Sequence, residues 1–414
     1  MTKKLFSVYH YGLRIATGAH RTTPIMSLYA VSGQIPLEYR ISKQLLNYTV
    51  RVLGNRNHPN HADFSQPLFQ NSYQLAPRIS PPCNVRSKIL LQELHCKPTL
   101  IPQFSLPYPW AIPPPHINIA LSQYRKAETN PNWYQITLRD ILTNHENSKL
   151  IFTDGSKDAT GTGAAFSSEK QKGLFKLPPE SSIYSAELYA IKQALKYVLN
   201  SEHDTYCILT DSLSGIQSMA DIYSRNEYMK EIHDLRRQIH DRSKHLQFVW
   251  IPSHTNITGN DTVDQLAKEA THKTTQDEQC MLRNDCKSLL QGTIHRKWLD
   301  HWTALAERKQ YFLPPRPLKW TGSATLTRKE ETVLNRVKMG HTRMTHDFLL
   351  QNSVQPMCEQ CNVILTVRHI LQDCPKYQQS RLDHDVTNDS CTKLFTCPID
   401  IVKFLKATDL FMLL

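Results

Sequence analysis

Short apolar runs separated by polar, glycine-containing turns set the rhythm of the middle of the chain. Runs at 149–154, 162–167 and 173–177 predict three strands in a meander. The period then lengthens. Tyr184, Leu188, Ile191, Leu195 and Val198 recur at i, i+4, i+7, i+11 and i+14, which predicts a helix over 184–199. A strand at 205–210, helical patterns through about 213–243, a strand at 246–251 ("LQFVWI") and a helix from about Asp261 to Thr271 follow. This alternation predicts a mixed α/β layer. Upstream, "SKQLLNYTVRVL" spaces Leu46, Val50 and Leu53 at i, i+4 and i+7, so residues 1–71 are expected to be helical. From Ser72 to about His116 proline dominates, ending in "SLPYPWAIPPPH", a stretch expected to hold no regular helix or central strand, and residues 72–147 are expected to be a Pro-rich linker or surface-draped segment. Residues 273–350 read as helical and basic, broken by "LPPRP" at 313–317, and 351–414 form a tail. No internal repeat at a fixed period occurs.

At 414 residues the chain has room for two or three compact units. Its apolar fraction of 40% supports real cores, and 21% charged residues excludes wholesale disorder. The net charge of +12 favours a polyanionic partner, and its distribution sharpens this. Residues 1–72 hold eight Lys/Arg against two Asp/Glu, and 286–346 hold twelve against four. Residues 148–272 hold fourteen against sixteen, so the middle is nearly neutral between basic flanks. The ten cysteines form no small-scaffold disulfide framework, and three of them share one cluster with a histidine. The first residues lack the n-region, apolar h-region and small-residue cleavage site of a signal peptide, so none is expected, and no run approaches the ~18 apolar residues of a membrane span. A reducing compartment, cytoplasm or nucleus, is expected, with no membrane partner.

The candidate chemistry begins where apolar strands end in acid. "KLIFTDGSKD" leads into Thr153 and Asp154, and "CILTDSLSG" repeats the move at Thr210 and Asp211. Ionised carboxylates at the ends of buried strands are costly unless something compensates them. The helix over 184–199 places Glu187 in its first turn, on the face of Ile191 and Ala194, and the last helix carries Asp264. Converging from two strands and two helices, Asp154, Glu187, Asp211 and Asp264 would repel unless a cation neutralises them. Hard oxygen donors suit Mg²⁺ or Mn²⁺, and two such ions ~3.5–4 Å apart serve phosphodiester cleavage. Each acid taken singly has a blander reading: a turn, a helix cap at Asp211, solvated surface at Glu187 or Asp264.

"IFTDGSKDATGTGAAF", "YSAELYAIKQAL", "ILTDSLSGI" and "WIPSHTNITGNDTVDQLAKEA" together resemble type 1 ribonuclease H domains over residues 148–272. The resemblance implies a ribonuclease H-like mixed five-stranded sheet flanked by helices, and hydrolysis of the RNA strand of RNA:DNA hybrids to 5′-phosphate and 3′-hydroxyl products. It makes Asp154, Glu187, Asp211 and Asp264 the metal-binding tetrad for two ions. His254, in "IPSH", matches the family's flexible loop histidine, which serves proton transfer or product release. The chain departs from housekeeping relatives at Ser182, Ile183 and Tyr184 before Glu187, and at Ser212 and Leu213 after Asp211. Those are positions where relatives touch the hybrid.

"CEQCNVILTVRHILQDC" spaces Cys358, Cys361, His369 and Cys374 as C-x2-C-x7-H-x4-C, a set able to close a tetrahedral Zn²⁺ site; reduced cysteines in a small core are the alternative. With "GHTRMTHDFLL" ahead of it, this tail is similar to the C-terminal end of Jockey-like non-long-terminal-repeat retrotransposon polyproteins. The N-terminal residues resemble the thumb or connection segment that follows the reverse-transcriptase core in those polyproteins. The core itself, with its paired aspartates, is absent from these 414 residues. The expected organisation is therefore a helical thumb-like segment at 1–71, a linker at 72–147, the ribonuclease H domain at 148–272, a basic helical region at 273–350 and a zinc-binding tail at 351–414. The competing expectation is a catalytically inactive nucleic-acid-binding remnant, with a DNA-binding regulator built on the tail a distant third.

Overall fold

The computed structural model describes residues 2–66, 73, 80–96, 98–101, 108–143, 147–308, 325–386, 394 and 396–414. The proline break expected at 313–317 lies outside the described residues, as do parts of the expected linker. In chain order the main elements are α1 (Thr2–Thr17), α2 (Ile25–Ser32), α3 (Leu37–Leu53), α4 (Cys83–Glu93), β1 (His116–Asn118), α5 (Pro131–Thr143), β2 (Lys149–Lys157), β3 (Thr162–Ser168) and β4 (Lys172–Leu177). There follow α6 (Ile183–Asn200), β5 (Thr205–Thr210), α7 (Leu213–Ser218), α8 (Glu227–Asp241), β6 (His245–Trp250), α9 (Thr258–Thr271), α10 (Arg283–Arg308), α11 (Arg328–Lys338) and α12 (Pro398–Ala407). The chain divides into two compact units, residues 43–292 and residues 1–42 with 293–414.

The 43–292 unit is built on a six-stranded mixed sheet in the order β1-β6-β5-β2-β3-β4. The meander β2-β3-β4 is antiparallel, as its short turns dictate, and β5, β6 and β1 run parallel to β2. One face is covered by α6 and α8. There Leu188, Ile191, Leu195 and Val198, the helical stripe read from the sequence, are fully buried with Ile151, Ile208 and Phe248. On the other face α9 lies against β3 through Ala165, Val263 and Ala267. Gly163 permits that contact: a Cβ there would stand 2.3 Å from the Ala267 carbonyl oxygen. The same face carries Tyr134 and Leu138 of α5 on Cys207, Leu209 and Val249. The expected helical stretch at 213–243 resolves into α7 and α8, because Ser212 and Asn226 each cap a new start.

The five strands expected within 148–272 are β2 to β6. A sixth, β1, joins their sheet from the expected linker at 72–147, which contains α4, β1 and α5. The three prolines 113–115 end just before β1, whose pairing His116↔Gln247 to Asn118↔Val249 is supplied by β6 from far along the chain. So short a strand leaves no periodic signal of its own. For α5 the signal was present: Pro131 in the first turn, then Tyr134, Leu138, Ile141 and Leu142 at i, i+4, i+7 and i+8.

In the unit of 1–42 and 293–414, Leu28, Tyr29 and Ala30 of α2 pack with Leu13, Trp298, Trp302 and Met339. A second core joins Val333, Leu334 and Val337 of α11 to Ile401, Phe404 and Leu405 of α12, with Leu365, Ile370 and Leu371 from the stretch between Cys361 and Cys374. Among the described residues no helix is long and apolar enough to cross a membrane.

Candidate active site and metal centre

Parallel pairing of β2 with β5 aligns Thr153 with Thr210, so Asp154 and Asp211 follow side by side at the same end of the sheet. Asp154 is only 7% exposed and accepts a 2.7 Å hydrogen bond from the Gly155 N–H. Gly155 then meets α6 at close quarters: a Cβ at this position would lie 2.6 Å from the Glu187 nitrogen. The absence of a side chain thus lets α6 bring Glu187 over the end of β2. Ser182 caps α6, which puts Glu187 just past the first turn rather than within it. Ser212 links two of the acids. Its hydroxyl donates to Glu187 Oε2 and accepts from the Gly215 N–H at 3.1 Å, capping α7 one residue after Asp211. The Trp250 indole N–H donates to the Asp211 carbonyl at 3.0 Å and fixes the strand end. Asp264, on α9, is paired with Lys268 one turn on at 2.6 Å.

Asp154 lies in the field of the other three acids. Burial, then the Asp211 carboxylate, pushes Asp154 up to about 8; the Gly155 N–H opposes this, while Asp264 and Glu187 add to it. Glu187 is raised by burial, against the Ser212 hydroxyl and with the Asp211 charge. Asp211 is raised by burial and Asp264, and is eased by the positive fields of His254 and Lys126. Anions cannot share this pocket at neutral pH without a counter-charge. The donor set therefore fits hard divalent cations: four carboxylates, two of them at rigid strand ends, whose repulsion such ions would remove. His254 sits in the exposed turn between β6 and α9, with its backbone in the left-handed region at φ 52°. Of the five residues singled out in the sequence, Asp211, Glu187 and Asp264 are felt at Asp154, and His254 is felt at Asp211. Ser212 and Lys126 were missed as contributors, because their roles depend on contacts that no local pattern announces.

The tail residues also meet. The ligand atoms of Cys358, Cys361, His369 and Cys374 all lie within 4.8 Å of one another. Cys358 Sγ and Cys374 Sγ are 3.8 Å apart. Two thiolates bound at ~2.3 Å to a tetrahedral ion stand about that distance apart. A tight turn through Asn362, at φ 52°, makes the first pair: the Cys358 N–H donates to the Val363 carbonyl and the Asn362 N–H to the Cys358 carbonyl, both at 2.8 Å. One helical turn, His369–Asp373, sets the second pair, with the Cys374 N–H donating to the His369 carbonyl at 2.7 Å. The backbone N–H of Cys361 draws the Cys358 thiol down to about 6, and His369 Nε2 is buried without a hydrogen-bond partner. A cluster of this make-up can hold a metal ion.

An antiparallel meander continued by parallel strands, with acids at the ends of the two central strands and on the helices above, defines a ribonuclease H-like fold. Residues 146–272 match the RNase H family model, so this chain carries an RNase H domain. No curated protein matches the chain.

Proposed function

We infer that this protein is a metal-dependent endonuclease that hydrolyses the RNA strand of RNA:DNA hybrids. The observation that carries the reading is the side-by-side placement of Asp154 and Asp211, with Glu187 and Asp264 in their field, inside the family match. Asp154 and Asp211 would hold two Mg²⁺ (or Mn²⁺) ions jointly, and Glu187 and Asp264 would complete the two coordination spheres. Such ions, when bound, supply an activated water and stabilise the leaving oxygen. The chain's own residues do the rest. The strands hold the acids rigidly, Ser212 orients Glu187, and exposed His254 moves a proton at the departing product, which carries a 5′-phosphate. The Cys358, Cys361, His369 and Cys374 cluster holds Zn²⁺ and stabilises the tail. The tail motifs and the N-terminal helices favour descent from a Jockey-like retrotransposon polyprotein, and an intracellular site of action suits the reduced thiols.

The test is cleavage of a labelled RNA:DNA hybrid by the purified full chain, with Mg²⁺ or EDTA, beside Asp211→Asn and beside single-stranded and duplex RNA. Mg²⁺-dependent cutting of the hybrid alone is expected, with the variant slower by at least ~10³-fold. Equal cutting by the variant, or none by the wild type, sinks the reading. Metal analysis of the purified chain should find about one Zn²⁺, lost in Cys361→Ser.

A further inference from the structure

The residues just upstream of the family match touch the turn that carries His254. The Gln135 side-chain amide, on α5, donates to the Asn256 carbonyl at 2.9 Å and to the Thr255 carbonyl at 3.3 Å. Both partners are acceptors, so the amide nitrogen must face them. On the other side of the histidine, Lys126 Nζ donates to Ser253 Oγ at 3.3 Å. The turn needs such support. His254 and Asn256 both adopt left-handed backbone, at φ 52° and 57°, a conformation that costs a non-glycine residue free energy unless its surroundings impose it. Beneath the turn, Ile251 and Ile257, the apolar residues that bracket it, are buried against Leu121, Tyr134 and Leu138 of the same upstream segment. The Tyr134 hydroxyl donates to the Tyr124 carbonyl at 3.1 Å, closing the segment on itself just before Lys126.

We propose that residues 116–143 are part of the catalytic unit, with Gln135 as the positioning residue that holds the His254 turn and Lys126 as its second anchor. This rests on the role given to His254 above. Without the amide, the turn relaxes out of its left-handed geometry and the imidazole leaves the product phosphate. Displacing a proton donor by an ångström or so costs roughly tenfold or more in rate. Substrate affinity, set by distributed backbone contacts, is spared.

The experiment uses the full chain. Gln135→Leu keeps the side chain's bulk and removes its donor. Hydrogen–deuterium exchange of peptides covering 252–258 is expected to accelerate about tenfold, with β2 and β5 unchanged. In the hybrid-cleavage assay kcat should fall roughly tenfold with KM within about twofold, and Gln135→Leu should add nothing in a His254→Ala background. Lys126→Met, exposed and safe for folding, should reproduce the exchange change at smaller amplitude. Unchanged exchange in both variants overturns the proposal. So does faster exchange with an unaltered kcat, or a loss that multiplies with His254→Ala. If the wild type cuts no hybrid, the nuclease reading falls, while the exchange data alone decide whether Gln135 and Lys126 hold the turn.

Discussion

Gly155 shows how one missing side chain can assemble a site. Its absent Cβ is what allows the Glu187 backbone to rest on β2, so Gly155→Ala should push α6 outward and part Glu187 from Asp154. Overpacking of this kind costs about 1–3 kcal/mol. The loss of hybrid cleavage, measured beside the urea midpoint, should exceed 100-fold because the acids separate. Ser212→Ala is milder: it frees Glu187 and removes a cap worth ~1 kcal/mol, without moving any backbone. A different residue governs acid sensitivity. Burial, with His346 and His20 beside it, pushes His341 down from 6.5 to about 3. Folding thus disfavours its proton. The stability this represents is intact above about pH 6.5 and drains away as pH falls towards 3, at up to about 1.4 kcal/mol per pH unit. Urea melts between pH 4 and 7.5 should give a shallower slope for His341→Gln than for wild type. Asp154 and Asp211 stand out in the sequence because each closes an apolar run, whereas Glu187 and Asp264 lie inside helices and draw notice only through the joint order of the four. Gly155 and Ser212 do not stand out, since what they do is defined by a helix arriving from elsewhere in the chain.

Among the elements, those whose hydrophobic period is long enough to declare itself match their expected places: β2 to β6 and α6 lie within a few residues of the runs that predicted them. Those that depend on a distant partner do not, and β1 is the clearest example, its hydrogen bonds being granted by β6 alone. The β3–α9 contact offers a test of element packing. Gly163→Ala places a methyl against the Ala267 carbonyl and the Thr271 nitrogen, which are backbone atoms that cannot rotate away. A loss of about 1–3 kcal/mol is expected in chemical denaturation, together with weakened cleavage as α9 carries Asp264 aside. In the tail, the Cys358–Cys361 turn and the His369–Asp373 turn are short, and they pack into the core through Leu365, Val367, Ile370 and Leu371. With Zn²⁺ proposed to tie these two turns together, a strong chelator should raise proteolysis of 355–380 first, detected by mass spectrometry of limited digests; equal protection with and without chelator would contradict the proposed metal.

At the scale of the whole molecule, charge and ion pairing set different properties. A net charge of +12 implies that hybrid affinity falls log-linearly with salt, and fluorescence anisotropy at 50–300 mM KCl measures the slope. Stability of the 43–292 unit leans instead on a buried pair, Glu227 with Arg283, the glutamate being only 2% exposed. Arg283→Ala strands that carboxylate and should cost about 3–5 kcal/mol, whereas replacing both partners with apolar residues should cost much less. The sixth strand has a consequence of another kind. By lying along β6 it occupies a row of backbone donors and acceptors that would otherwise be open to any passing extended chain, and α5 shields Leu209, Val249 and Ile251 behind it. Cutting the protein at residue 146, where the family match begins, would bare both at once. Such a fragment is expected to self-associate by edge-to-edge pairing and to elute from size-exclusion columns as aggregate, while one begun near residue 108 should remain a monomer. What looked like a proline-rich tether is the domain's own guard against misassembly.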